Sequence, residues 1–232
     1  MNFYYGLMDL ENKIWEFAEE SDKRIYDEEG HVKDLMFFVT ETQWKELLDG
    51  QNQGLDIVVD NDEVVNAEKG RFFINNNGEW EKKTNEQFNL EKAQAKAKEL
   101  VNSLYEIKAK KAYGGITINS VLVFETNQTA ITNTVASLAL MNDTDTANWK
   151  FYTLTGEPAF QLVTKQQLAY IAGVARGMMN DSFTVEGQFN LMLSNMTVED
   201  LLSESIVTSF LEEAQAAMDA ISSEIIIPTL DV

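Results

Sequence analysis

The only histidine, His31, is the first residue to consider for chemistry, because an imidazole can act as a general base or bind a metal near pH 7. A Ser-His-Asp relay would have to use it. It follows two glutamates and a glycine in residues 28–31, a pattern typical of an exposed turn. The sequence contains no G-x-S-x-G motif. We therefore interpret His31 as a surface side chain and expect no nucleophilic catalysis.

Two aspartate pairs, Asp60/Asp62 and Asp143/Asp145, have the alternate spacing with which calcium-binding loops begin. Neither is followed by the glycine and the glutamate that complete an EF-hand loop. Carboxylate pairs could also serve a glycosidase, but among 38 Asp and Glu residues such pairs arise by chance. The glycine pair at residues 114–115 lacks the Gly-Lys-Ser/Thr of a phosphate-binding loop. The sequence therefore predicts a protein that is not an enzyme and that needs no metal or other cofactor.

The charge of the chain argues against two classes of partner. Its 18 Lys and Arg residues against 38 Asp and Glu residues give a net charge of −20, a field that repels nucleic acid and anionic lipid. Such acidity favours solubility, and it could also face a basic protein partner. There are no cysteines, no apolar stretch as long as a membrane span, and no signal-peptide pattern at the N-terminus. We expect no nucleic-acid partner and no membrane insertion. We also expect that the protein is made in a cytoplasm.

Residues 1–83 are predicted to form a small β-rich domain with one helix. Runs of aromatic and β-branched residues between turn signals favour short strands. Thr40 and Gln43 have the spacing of a capping box, in which each side chain bonds the backbone of the other, so a helix should follow. The Asn-Gly step in residues 75–78 favours a tight hairpin turn.

Residues 84–113 are predicted to form one long helix. Thr84 and Gln87 make a second capping box, and the following residues lack Gly and Pro up to the glycine pair. Lys108 and the two lysines after it lie at the C-terminal end, where cations suit the helix dipole. Apolar residues recur at spacings of three and four, which makes a heptad seam of Leu90, Ala93, Ala97, Leu100, Leu104 and Ile107.

The seam has two interpretations, a self-associating coiled coil and a helix packed on its own domain. Fewer than three heptads with two alanines are weak for an independent coiled coil, and the helix could also join two domains semi-rigidly. Self-association would give a homo-oligomer, with a trimer favoured. The interface residues would then be Leu90, Ala97, Leu100, Leu104 and Ile107.

Residues 114–232 are predicted to be mainly helical, with two short hairpins. The first hairpin covers residues 116–124, and the second surrounds Gly156. Thr164 and Gln167 form a third capping box. The helix that it opens carries apolar residues to position 175, and helix resumes by position 189.

The chain closes on an extended tail, residues 224–232, whose run of three isoleucines should be docked, since an exposed run invites aggregation. The fold class predicted from these elements is α+β. It consists of a small β-rich N-terminal domain, a long linking helix, and a mainly helical C-terminal domain with short β-hairpins.

From about Ala112 to Ile221 the sequence resembles an uncharacterised domain family that recurs in tailed-phage tail-fibre and baseplate-associated proteins. The residues that carry the resemblance are, in order, Lys108–Lys111, Gly115–Ile118, Phe124, Met141, Trp149-Lys150, Gly156, Leu162, Thr164, Phe189, Leu193 and Thr197–Leu201. The preceding region is similar to small phage proteins encoded near tail-fibre genes. There the residues are Trp44, Leu47-Leu48, Gln51, Gly54 and Ile57–Asp60.

The resemblance implies a non-enzymatic structural component of a phage tail, made in the bacterial host cytoplasm and then built into the virion. Its partners would be other phage tail, baseplate or fibre proteins. The alternative is a tail-fibre assembly chaperone that is absent from the mature virion. A glycan hydrolase and a host regulatory domain are further alternatives. The resemblance supplies no catalytic residue, and the extension at residues 222–232 departs from the family pattern.

Overall fold

The structure is a computed structural model that describes residues 3–8, 14–19, 36–60, 63–74 and 80–228. It has the α+β class expected from the sequence, with helices and strands in both of its parts. The chain divides into two compact units, Met1–Leu90 and Glu91–Val232. The sequence placed boundaries after residues 83 and 113, whereas this division falls inside the long helix.

The first unit is built from short antiparallel strands and a helix. Three strands pair in the order β2-β1-β3, and two further pairs are β4-β5 and β6-β7. Helix α1, Glu41–Asn52, follows β3 directly. The strands are β1 Phe3–Met8, β2 Ile14–Glu19, β3 Met36–Thr40, β4 Asp56–Asp60, β5 Glu63–Ala67, β6 Phe72–Ile74 and β7 Trp80–Lys82.

The predicted start of α1 is confirmed at Thr40, whose side-chain oxygen accepts from the Gln43 N–H at 3.3 Å. The Gln43 side chain accepts from the Thr40 N–H at 3.0 Å, which completes the capping box. Strands β6 and β7 form the expected hairpin pair. Its turn at residues 75–78, together with His31 and Asp62, lies outside the described residues.

The second unit contains one five-stranded sheet in the order β11-β10-β9-β8-β12. Neighbouring strands are antiparallel except β12, which runs parallel to β8. The strands are β8 Ile116–Ile118, β9 Leu122–Phe124, β10 Thr146–Thr153, β11 Pro158–Thr164 and β12 Glu224–Ile225. The two hairpins expected from the sequence are therefore parts of a single sheet.

The helices of the second unit cover one face of this sheet and form a separate bundle. They are α2 Asn85–Tyr113, which begins in the first unit, α3 Gln128–Leu140, α4 Lys165–Ser194, α5 Val198–Leu202 and α6 Glu204–Asp219. The capping box predicted at Thr164 is confirmed, with its oxygen 3.1 Å from the Gln167 nitrogen. Buried residues of α4 contact both the sheet and the bundle, so α4 belongs to both hydrophobic cores.

The sequence prediction of an interrupted helix after residue 175 was wrong, because α4 runs unbroken for 30 residues. Its three glycines each disfavour a helix by about 1 kcal/mol relative to alanine. Burial of Leu168, Ile171, Phe189 and Leu193 at its two ends outweighs this cost, since each large apolar side chain contributes about 1.5–3 kcal/mol.

Replacing Gly173 or Gly187 by alanine should stabilise the second unit. A methyl group at either position meets no atom within 4 Å, so the main effect is a less flexible unfolded chain. We expect a gain of about 0.5–1 kcal/mol for each, measured by urea unfolding. Gly115→Ala is the control and should destabilise, because Gly115 has φ +94° and its added Cβ would lie 2.7 Å from Val123 Cγ1. Two destabilised helix variants would contradict an unbroken α4.

Candidate protein–protein interface

The helical seam expected at an interface is largely buried within one chain. Leu100 and Leu104 are each 2 % exposed and belong to the core of the bundle. The residues of α4 and α6 that share this core are Phe189, Leu193, Val207, Phe210 and Ala214. The interface prediction is therefore corrected for these two leucines. The structure shows the other interpretation, a helix packed within its own domain.

The other three predicted interface residues, Leu90, Ala97 and Ile107, do not form one continuous stripe. Ile107 is partly buried against the same core, and Ala97 is half-buried. Leu90 is exposed, but it lies in the first unit. The partner of the seam could not be identified from spacing, because a 3-4 repeat describes one helix and not the surface that covers it.

Lys108 has a role that the sequence did not indicate. It is 4 % exposed, and its Nζ lies 3.3 Å from Glu186 Oε2. The same Nζ lies 4.2 Å from the ring centroid of Tyr105 and 4.5 Å from that of Phe183. A cation–π contact is strongest where water is excluded. Lys108 therefore joins α2 to α4, rather than acting as an exposed cation at the helix end. The signal for this burial in the sequence was that Lys108 lies four residues after Leu104, and residues four apart share one face of a helix.

The C-terminal segment is held at the β12 side of the sheet. Asn119, at φ 51°, accepts from the Ile227 N–H at 2.7 Å and donates its side-chain amide to the Ile227 carbonyl at 3.1 Å. Ile225 and Ile227 are buried in the sheet core, whereas Ile226 is exposed. The predicted docking of the isoleucine run is thus confirmed for two of its members. Residues 229–232 lie outside the described residues.

The opposite edge of the sheet is β11, which pairs only with β10 among the described strands. Main-chain hydrogen bonds at both ends of this hairpin fix its pattern. The Thr153 N–H donates to the Glu157 carbonyl at 2.8 Å, and the Lys165 N–H donates to the Asp145 carbonyl at 3.3 Å. Bonded pairs alternate along an antiparallel ladder, so the odd-numbered residues of β11 bond to β10.

The even-numbered residues of β11 consequently direct their main-chain groups away from the sheet. Phe160 and Leu162 each offer an N–H and a carbonyl on this side, and their side chains are 60 % and 67 % exposed. The strand, Pro158–Thr164, has no charged residue. Charged residues, especially Lys, are the usual protection of an edge strand against pairing with another chain. Proline is a further protection, and β11 has only Pro158, at its first position, so the rest of this edge is our candidate interface.

Lys150 is the charged neighbour of the edge on the exposed face of the sheet. It lies opposite Phe160 on β10. Its Nζ is 2.5 Å from the Tyr152 hydroxyl, and this hydrogen bond raises the pKa of Lys150. Lys150 is therefore cationic at neutral pH. It belongs to β10, so the edge strand β11 itself carries no charge.

The described residues contain no group of three or more His, Cys, Asp or Glu side chains placed to hold a metal ion. Asp143 instead forms an ion pair with Lys165, at 3.1 Å. None of the helices in the described ranges is long and apolar enough to cross a membrane.

No family model, curated protein or solved structure matches this chain. The resemblance to phage tail-associated proteins accordingly depends on the residues of this sequence that carry it.

Leu100→Ala should destabilise the second unit by about 3 kcal/mol, because it leaves a cavity in the bundle core. Leu90→Ala on the same helix is the control and should change stability by about 0.5 kcal/mol, because Leu90 is exposed. Urea unfolding gives the free energies, and light scattering gives the mass. A Leu100 variant that lowers the mass without loss of stability would instead show that the seam is an interface between chains.

Proposed function

We propose that this chain is a non-enzymatic structural component of a bacteriophage tail, in the tail fibre or baseplate, and that it acts through protein–protein contacts. The observation that carries the proposal is the uncharged edge strand β11, with exposed Phe160 and Leu162 beside main-chain groups that pair with no other described strand. Such an edge is a template for pairing with another chain, and stable proteins cover or charge it.

The combination of side chains and main chain at β11 distinguishes it from the scattered exposed apolar residues elsewhere. Single surface leucines, such as Leu191 on α4, are ordinary in folded proteins. On β11 the large apolar side chains of Phe160 and Leu162 flank Gln161. They lie beside main-chain N–H and carbonyl groups that pair with no other described strand. Main-chain bonds supply affinity and alternate side chains supply selectivity when a strand is added to a sheet. The edge therefore favours a protein partner.

The assignment to a phage tail is supported by the resemblance, whose residues have structural roles in the second unit. Gly115–Ile118 contain β8, and Trp149-Lys150 lie in β10. Residues 197–201 include the N-cap of α5, where the Thr197 oxygen lies 3.2 Å from the Asp200 nitrogen. Hydrogen bonds from the Thr197 backbone and side chain lower the pKa of Asp200. These residues belong to two strands and a helix cap, which suits a structural family.

The partners in this proposal are other tail, baseplate or fibre proteins and further copies of the chain. The alternative is a tail-fibre assembly chaperone, which would need the same exposed edge and the same acidic surface. The net charge of −20 keeps a protein with an uncovered edge in solution before it meets its partner.

Quantitative mass spectrometry of purified phage particles, normalised to the tail-tube protein, tests this proposal. We expect the chain at a fixed stoichiometry to the tube protein in intact particles. Its absence from particles, together with abundance in the infected lysate, would contradict a structural role and favour the chaperone. A source without any phage-like particle would contradict both.

A further inference from the structure

We propose that β11 pairs with β11 of a second copy of this chain, antiparallel and across a two-fold axis that passes through Gln161. The two five-stranded sheets would then form one continuous sheet. This inference names a partner for the edge strand that carries the proposed function, and it rests on that strand being a protein-contact surface. It adds the register, which can be tested without any phage protein.

The donors along the free edge are arranged symmetrically, which suits a two-fold axis. Pro158 has no N–H, and the Thr164 N–H already donates to Gln167 Oε1 at 2.8 Å. Between these two ends, only Phe160 and Leu162 have an N–H directed away from β10. The free donors thus lie symmetrically on either side of Gln161.

A two-fold axis at Gln161 satisfies these groups in both copies. It places Phe160 opposite Leu162 of the second copy, and Leu162 opposite Phe160 of the second copy. Each opposed pair exchanges two N–H···O=C bonds, so the interface contains four main-chain hydrogen bonds. The positions that lack a free donor, Pro158 and Thr164, also face each other. A shift of two residues would keep four bonds only by using the carbonyl of Pro158 or Thr164, and it would place Phe160 opposite Phe160 or Leu162 opposite Leu162.

The side chains agree with the same register. Phe160 and Leu162 point to the same exposed face of the sheet, so each pair brings an aromatic ring against an aliphatic chain, a favourable cross-strand combination. Just beyond the strand, Glu157 comes opposite Lys165 of the second copy. The two-fold axis repeats this pair, so an acidic residue faces a basic residue at each end of the interface. The Lys165 side chain is 31 % exposed and already pairs with Asp143 at 3.1 Å, so Glu157 would add a second carboxylate to this ion pair.

In a dimer with this two-fold axis, the free edge of each copy is paired with that of the other. The interface is isologous, so a dimer forms and this edge cannot add a third chain. The geometry favours a dimer in place of the trimer expected from the sequence.

Sedimentation and light scattering of the full chain test the dimer. The wild type should reach twice the 26.3 kDa of one chain as its concentration rises. Leu162→Lys should raise the dissociation constant roughly tenfold or more, because it removes both apolar pairs and adds like charges. Leu191→Lys is the matched control and should leave the dimer unchanged. Leu191 is 66 % exposed and lies about 40 Å along α4 from the end of β11.

A cysteine substitution tests the register and does not depend on the lysine variant folding. The chain has no cysteine, so Gln161→Cys introduces one thiol per copy. Directly opposed residues at a non-hydrogen-bonded position have Cα atoms about 4.5 Å apart, within the range of a disulfide. We expect rapid oxidative cross-linking of Gln161→Cys. Leu162→Cys should cross-link poorly, because Leu162 faces Phe160 of the second copy.

A wild type that stays monomeric at high concentration would overturn this inference. So would a trimer, a dimer that Leu162→Lys leaves intact, or equal cross-linking at positions 161 and 162. None of these results would remove the chain from phage particles. Particle mass spectrometry therefore separates a failure of the two-fold pairing from a failure of the proposed function.

Discussion

Helix α4 packs its first half on the sheet and its second half on the helical bundle, and the rest of the second unit depends on this double contact. Leu168 and Ile171 lie in the sheet core, and Phe189 and Leu193 lie in the bundle core. Thirty residues of helix span about 45 Å, so one rigid element joins both cores. Between them the buried Ser182 hydroxyl donates to the Met178 carbonyl at 2.7 Å, which satisfies a buried polar side chain at the junction.

The start of α4 also determines how the sheet ends. Thr164 is both the last residue of β11 and the N-cap of α4, so the strand cannot extend further. Its capping box takes the Thr164 N–H and limits the free edge to the donors of Phe160 and Leu162. At the opposite side of the sheet, β12 supplies a parallel partner for β8. The remaining free edge is short, uncharged and bounded at both ends.

Local patterns were predictable from the sequence, and contacts between distant segments were not. The capping boxes at Thr40 and Thr164 involve residues three apart, so their types and spacing suffice to identify them. The pairing of Glu224 with Thr117 joins segments that are far apart in sequence, and no local pattern specifies it. The hairpins were therefore expected without the sheet that unites them.

The candidate site was missed for a related reason. The sequence identified an apolar seam on α2, but the most regular apolar pattern belonged to a core, as amphipathic helices usually do. Strand β11 was expected as one half of a hairpin, but its position at the edge of the sheet depends on the order of all five strands. Alternation of apolar and polar residues shows that a strand has two faces. It does not show which of its two edges is paired.

Residue-resolved amide hydrogen exchange across a range of protein concentrations tests the central claim, that β11 is a free edge which another chain covers. The Gln161 amide should be protected at every concentration, because it bonds to β10. The Phe160 and Leu162 amides should exchange quickly in dilute protein and become protected as the chains associate. Fast exchange of both amides at every concentration, or protection of both in the dilute monomer, would contradict the account.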